Sequence, residues 1–302
     1  MTHRHVLTID PAADPRRLDL FPKSPTGSTR MRNYLKTYVA SAVALLAVSA
    51  APAMAADMAM KAPPMVAQLP SWTGFYIGIN GGGAWGTTGT SASDVGPDGF
   101  FAFANIPAVV AGATRSFDNS GGLAGGQIGY LFQSGKGIFG IEASFDWANF
   151  NGSTSNGPTV YPVTPGSTFA WNLHASSDFL ATFTGRVGYD MGSWYPYVTG
   201  GAAVAHLKYS ANFIDTFYPT NVTNSFSKDA VGWVVGLGAE WRVADHWMLR
   251  GEYLYMDFDS FGGNGTIACT PGVGACGANT TTFNYSAKFR ENVGRLALSY
   301  RF

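Results

Sequence analysis

The sequence predicts an all-β protein, an eight-stranded antiparallel transmembrane β-barrel of the outer-membrane type. Apolar and polar residues alternate with a period of two in eight segments, and the connections between these segments are alternately short and long. The composition favours strands over helices, because the 302 residues include 38 Gly and 14% aromatic residues but only 13% charged residues.

The first 55 residues are expected to be absent from the mature protein. A signal peptide is predicted over 31–55, because Arg32 and Lys36 precede an apolar stretch that ends in Ala53-Met54-Ala55, with cleavage after Ala55. Residues 1–30 lack a periodic apolar pattern and are expected to be a misassigned-start extension, or alternatively a long cytosolic leader removed with the signal peptide. Residues 56–71 are expected to form a flexible periplasmic lead-in, and residues 72–302 the barrel.

The mature chain is mildly acidic. Removal of residues 1–55 takes seven Lys and Arg and three Asp from 19 charges of each sign, which leaves a net charge of −4 and no electrostatic case for nucleic-acid binding. Export also places Cys269 and Cys276 in an oxidising compartment, and the intervening Pro271, Gly272 and Gly274 favour a turn. The sequence therefore predicts a disulfide between the two cysteines.

The predicted strands follow one another in pairs joined by short turns. In one of them, Phe139, Ile141 and Phe145 alternate with Glu142 and Asp146, so that one face is apolar and the other acidic. The eight segments cover 72–86, 120–132, 138–150, 178–190, 194–209, 229–242, 247–259 and 288–302. The short periplasmic turns are 134–137, 191–193 and 244–246, and the long extracellular loops are 87–119, 151–177, 210–228 and 260–287. An even number of strands places both ends of the barrel on the side of the short turns.

A soluble β-sandwich also has alternating strands, and aromatic residues distinguish the two folds. Trp and Tyr near the segment ends favour the barrel, because such residues form girdles at the membrane interfaces. The residues predicted to face lipid in these girdles are Trp72, Trp85, Trp147, Trp194, Tyr195, Trp241, Trp247 and Tyr255.

The carboxyl terminus is predicted to be an assembly signal. Leu296, Leu298, Tyr300 and Phe302 form one apolar face of the last strand and end on an aromatic residue. This ending is typical of the signal by which the barrel-assembly machinery selects outer-membrane barrels, so that machinery is an expected partner.

Five short motifs carry a family resemblance over 72–302. They are WTGFYIGINGGGAWG at 72–86, GQIGY at 126–130, GRVGY at 185–189, GWVVGLGAEW at 232–241 and the terminal SYRF. In this order they resemble the porin-like, opacity-type outer-membrane barrels, and more closely the major surface barrel proteins of Brucella, Bartonella and rhizobia. The resemblance implies a monomeric eight-stranded barrel with a structural or surface-contact role, and some members are linked to haem binding or adhesion.

Charged residues of both signs are predicted to face the lumen. Because an eight-stranded barrel is narrow enough to be filled by side chains, they are expected to pair in a salt-bridge network. A narrow porin for passive diffusion of small solutes is the alternative, although a selective pore favours rings of a single sign. The residues of the predicted network are Glu142, Asp146, Arg186, Asp190, Glu240, Arg242, Arg250, Glu252, Glu291, Arg295 and Arg301.

The sequence predicts no enzyme, no catalytic residue, no metal ligand set and no cofactor. A surface haem-binding protein or adhesin is a third hypothesis, for which the candidate axial ligands are His174, His206, Tyr161 and Tyr218. The expected partners are outer-membrane lipid and lipopolysaccharide, with host or surface ligands contacting the long loops. In the first loop, residues 99–103 are expected either to form a contact patch or to pack on the barrel mouth.

Overall fold

The computed structural model describes residues 71–96, 99–269 and 279–302. The predicted extension, the signal peptide with its cleavage site, and the lead-in up to residue 70 lie outside these ranges. Within the described ranges, no helix has the length and apolar character needed to cross a membrane.

The described strands form one closed antiparallel ring. Each strand from β1 to β6 pairs with the next, β7 and β8 both pair with β9, and β9 pairs with β1. Because β7 and β8 follow successive parts of β9, they act as one interrupted strand, and the predicted eight-stranded barrel is confirmed. The elements are β1 (Gly74–Asp94), α1 (Ile106–Ala113), β2 (Ser116–Ser134), β3 (Gly137–Val160), β4 (Thr168–Tyr189), β5 (Trp194–Asp215), β6 (Thr220–Arg242), β7 (Trp247–Phe258), β8 (Phe261–Ala268) and β9 (Thr280–Arg301).

The half of the barrel nearest the short turns has an apolar outer belt. Large side chains such as Ile79, Phe183 and Leu237 point outward and are 60–68% exposed. Aromatic contacts border the belt at both ends, with Trp194 against Trp241 at the turns and tyrosine-paired tryptophans at the other end. As predicted, Trp85, Trp147, Trp194, Trp241, Trp247 and Tyr255 point outward, while their place at a membrane interface stays a prediction.

Two of the predicted girdle residues are placed wrongly. Trp72 and Tyr195 are fully buried inside the turn end of the barrel, where their rings lie 4.7 Å apart. Tyr195 follows the outward Trp194, and adjacent residues of a strand point to opposite faces. Trp72 precedes β1 and folds into the opening, where its indole N–H donates to Asp190 Oδ1 at 3.0 Å.

The strands are longer than the sequence pattern indicates, and they continue into all four predicted long loops. We call the part of the barrel beyond the outer girdle the head. In the head the polarity of the alternation is reversed: Phe169, Trp171 and Leu173 point inward and are buried, whereas Asn172 and His174 point outward. Such an alternation suits a wall whose outer face contacts water and whose interior is an apolar core. These strands resemble loops in the sequence when a strand is recognised by apolar residues on its outer face.

An irregularity in β4 lies between the two halves. The pairing with β5 shifts register between Ser177 and Leu180, and both of these residues are buried. The inward residues of β4 are therefore odd-numbered on the head side of this point and even-numbered on the turn side, as expected for a β-bulge with an extra residue.

The connection between β1 and β2 fills the head. Val109 and Ala113 of α1 are fully buried, and Val109 O accepts a hydrogen bond from Trp171 Nε1 at 3.0 Å. Of the apolar stretch 99–103, Phe100 and Phe101 pack on this core, while Phe103 is 81% exposed. The prediction that the stretch packs on the barrel mouth is thus confirmed for these two residues.

Candidate functional site

A buried cluster of ionised side chains crosses the middle of the barrel. Glu142 on β3 lies at its centre and accepts hydrogen bonds from Arg186 on β4 and Arg250 on β7, each at 2.5 Å, and from Arg295 on β9 at 3.3 Å. Inward positions of strands on opposite sides of the ring meet here, because the ring is narrow. The other pairs are Arg186–Glu240 at 3.2 Å, Arg295–Glu252 at 2.5 Å and Arg295–Asp146 at 3.6 Å.

Tyrosine hydroxyls donate further hydrogen bonds to three of these carboxylates. Tyr76 donates to Glu142 at 2.6 Å, and a second tyrosine, Tyr197, donates to Glu252 at 2.7 Å. The Tyr76 hydroxyl lies against Gly129, where an added Cβ would overlap it. Tyr195 likewise donates to Glu240 at 2.5 Å. The sequence pattern assigned no role to Tyr76 and Tyr197 and wrongly placed Tyr195 in the girdle, although each occupies an inward position of an alternating strand.

Four residues of the predicted network lie outside this cluster, namely Glu291 and three residues at the turn end. Asp190, Arg242 and Arg301 are at the turn end, because they stand at the last positions of their strands or in the following turn. Arg242 packs over the Trp72 ring at 4.3 Å, and Arg301 donates to the Ser71 carbonyl oxygen. Together with the turn-end cluster of Trp72, Tyr76, Leu131, Ile138, Tyr195, Tyr197 and Met248, they cover this end of the interior.

Glu291 is inward, as predicted, but it does not meet an arginine. It is 2% exposed and accepts a hydrogen bond from Asn119 Nδ2. None of the ion pairs formed within the described ranges involves it. In the described part of the chain, the central interior therefore holds five carboxylates against three guanidinium groups, and Glu291 is the carboxylate that forms no ion pair.

Among the described residues, the head interior is mainly apolar and contains one buried acid. Asp215, at the end of β5, is 4% exposed and accepts a hydrogen bond from the Tyr161 hydroxyl at 2.9 Å. Burial raises the pKa of Asp215 above its ordinary value, while the hydrogen bonds from Phe217 N and Tyr161 lower it. Burial and the adjacent carboxylate also raise the pKa of Tyr161, so its hydroxyl stays protonated and acts as the donor.

The candidate haem ligands are not gathered at one place. His174 and His206 point outward from β4 and β5, and His206 Nδ1 lies 2.6 Å from Asp229 Oδ1. Tyr161 is buried against Asp215, and Tyr218 packs on Phe100 at the tip of the head. The predicted disulfide stays a prediction, because Cys276 lies outside the described residues.

The chain matches the family model described as the outer membrane protein beta-barrel domain over residues 41–302. It belongs to this family. This outer-membrane barrel is 31% identical over 225 residues to the 31 kDa outer-membrane immunogenic protein of Brucella melitensis, which covers 72% of this chain and 85% of that relative. It is 29% identical over 192 residues to the 22 kDa outer membrane protein of Rhizobium leguminosarum bv. viciae, which covers 63% of this chain and 66% of that relative.

Among solved structures, the outer membrane protease OmpT from Escherichia coli aligns with the barrel at a TM-score of 0.43 and 10% identity. The alignment covers 76% of this chain and 97% of OmpT.

Proposed function

We propose that this outer-membrane barrel is a closed, non-enzymatic structural protein that displays a folded head at the cell surface. The observation that carries the proposal is the filling of the interior in three successive layers. These are the aromatic turn-end cluster, the central cluster of arginines and carboxylates, and the apolar core of the head.

The central layer supports a closed lumen rather than a selective pore. Its side chains reach across the ring and bind one another, so that Glu142 joins arginines of three strands. A conducting pore would require these groups to face water in rings, and selectivity would favour a single sign of charge. In a narrow barrel, paired and hydrogen-bonded ions offset part of their desolvation cost only while they stay in contact.

Planar-bilayer recording distinguishes the closed barrel from the narrow porin. The refolded mature chain (residues 56–302) is expected to insert without stable unitary conductance, while a porin reconstituted in parallel shows that insertion is detected. Stable unitary steps would contradict the proposal. If the size of those steps also changed in Arg250→Ala, the current would be assigned to this lumen and the porin would replace the closed barrel.

The head is proposed to be the extracellular part. Its outer wall carries polar side chains such as Asn172, Ser210 and Ser225, which suit water and not lipid. The relatives named immunogenic outer-membrane proteins are consistent with a surface-exposed role for this chain as well. The apolar belt below is proposed to contact outer-membrane lipid and lipopolysaccharide as a monomer.

Epitope insertion in intact cells tests this orientation. A tag placed in the connection 161–167 is expected to bind antibody without permeabilisation, and a tag in the turn at Gly135 only after it. The reverse result would place the head in the periplasm and remove the basis for a surface role. Heat-modifiable gel migration checks that both tagged chains fold.

A further inference from the structure

A small cavity opens at the tip of the head, away from the central cluster. It has a volume of about 300 Å³ and lies between the connection that follows β1 and the connections that follow β3 and β5. Its wall includes a buried acid, Asp215, and five aromatic rings, those of Phe100, Phe101, Tyr161, Phe217 and Tyr218.

The rings form a continuous series around the cavity. Phe217 and Tyr218 have centroids 4.6 Å apart, and Tyr218 lies 5.6 Å from Phe100. Phe100 lies 4.7 Å from Phe101, which in turn lies 6.4 Å from Tyr161. Three of these four contacts are edge-to-face, so that the cavity is bordered by aromatic surface contributed by three separate connections.

The acid has only neutral partners in the described part of the chain. Asp215 accepts hydrogen bonds from the Tyr161 hydroxyl at 2.9 Å and from Phe217 N at 2.7 Å. No Lys, Arg or His side chain in the described ranges forms an ion pair with it. A buried carboxylate without a cation is costly, and a positive group placed beside it would favour the ionised form.

A negative group in a cavity bordered by aromatic rings favours a particular kind of cation. Ring faces attract ammonium groups, and most strongly those whose apolar substituents pack against the rings. Ca²⁺ or Mg²⁺ instead requires six or more oxygen ligands, which aromatic walls do not supply. We propose that this cavity binds a small organic ammonium ion, with Asp215 as its counter-ion and Phe217 and Tyr218 as its aromatic walls.

Choline is a suitable probe, because its neutral isostere 3,3-dimethylbutan-1-ol has the same shape without the charge. The mature chain is refolded in a maltoside detergent, since phosphocholine detergents would occupy the site. Saturation-transfer NMR of the N-methyl resonance and calorimetric titration then measure binding. Saturable binding of choline, at least about tenfold tighter than that of the isostere, is expected.

Two variants test the site, and each has a matched control. Asp215→Asn and Phe217→Ala are expected to weaken choline binding by about tenfold or more. Asp178→Asn changes an exposed acid on the outer wall, and Phe103→Ala removes an exposed ring from the same connection as Phe100, so both should bind as the unaltered chain does.

Phe217 is 47% exposed, so its truncation tests the site even if Asp215→Asn fails to fold. Absence of saturation would overturn the proposal, as would equal binding of the isostere or unaltered binding by Phe217→Ala in a chain that keeps its heat-modifiable migration. None of these outcomes bears on the bilayer test, because the cavity lies outside the central cluster.

Discussion

Glu142 and Glu291 are buried carboxylates of the same interior that differ in their partners. Glu142 is 1% exposed and binds three arginines, whereas Glu291 is 2% exposed and binds Asn119. Substitution of each by glutamine removes one negative charge at nearly constant shape. The comparison therefore separates the contribution of the ion pairs from that of burial.

The two substitutions are expected to differ by several kcal/mol. In Glu142→Gln, Arg250 loses the one carboxylate with which it forms an ion pair in the described part of the chain. Removal of one partner from a buried ion pair costs about 3–5 kcal/mol, because the remaining charge stays buried without compensation. Glu291→Gln removes a charge that no arginine neutralises and keeps an oxygen for Asn119, so its expected effect on the free energy of unfolding is below about 1 kcal/mol.

Urea unfolding in lipid vesicles measures the difference. Tryptophan fluorescence gives the midpoint and the slope of unfolding, and the free energies are compared only if the slopes agree. Heat-modifiable migration checks that each variant starts from the closed barrel. Equal losses in the two variants would refute the reasoning, because burial alone would then account for both residues.

Three further predictions concern other parts of the barrel. Gly129→Ala is expected to lower the free energy of unfolding by about 1–3 kcal/mol in the urea assay, because its Cβ would overlap the opposing tyrosine hydroxyl. In the unaltered chain, the stability of the head is expected to fall as the pH rises, and Asp215→Asn should abolish this fall. The raised folded pKa means that the folded state holds a proton which the unfolded chain releases near pH about 3.9, so stability falls from there through the folded pKa. The rate of protease cleavage in the connection 161–167, recorded as a function of pH, measures this stability. Phe302→Ala should reduce assembly in cells, assayed as heat-modifiable protein, but not refolding in detergent.

Two of these predictions have a control variant in the same chain. Gly126 points outward with its nearest contact at an ordinary 3.5 Å, so Gly126→Ala should leave stability unchanged. Phe132 is an outward ring that is 54% exposed, and Phe132→Ala should assemble normally. A flat pH profile in the unaltered chain would contradict the assignment to Asp215, and equal assembly of Phe302→Ala and Phe132→Ala would contradict the terminal signal.

The half of the fold with the apolar outer belt could be predicted because its alternation matches the expected pattern. Apolar residues such as Ile141 and Phe145 point outward, and the polar residues between them point inward, which also located Glu142, Arg186 and most of their partners. The head strands have the same period, but their apolar members Trp171 and Leu173 point inward. Their outward Asn, Ser and Thr residues therefore resembled loops.

The pairings within the interior could not be predicted from alternation. Period two gives the face on which a residue lies, but not its height relative to residues on strands across the ring. Asp190 and Arg301 were included for this reason, although the strand ends place them near the turns. The bulge near Ser177 has no sequence motif; its one trace in the sequence is that the inward positions change from odd-numbered to even-numbered residues. Tyr161 and Asp215 are distant in sequence and meet only because the connections that follow β3 and β5 close the same tip of the head.

The ladders of the head have a consequence for antibody recognition. The paired residues His174 and Ser210 lie side by side, and Ser210 in turn pairs with Ser225, so neighbouring points on the outer wall come from three distant stretches of sequence. An antibody that binds this wall would contact a discontinuous epitope. It would lose its target when the protein is boiled, and short peptides copied from any one strand would not reproduce it.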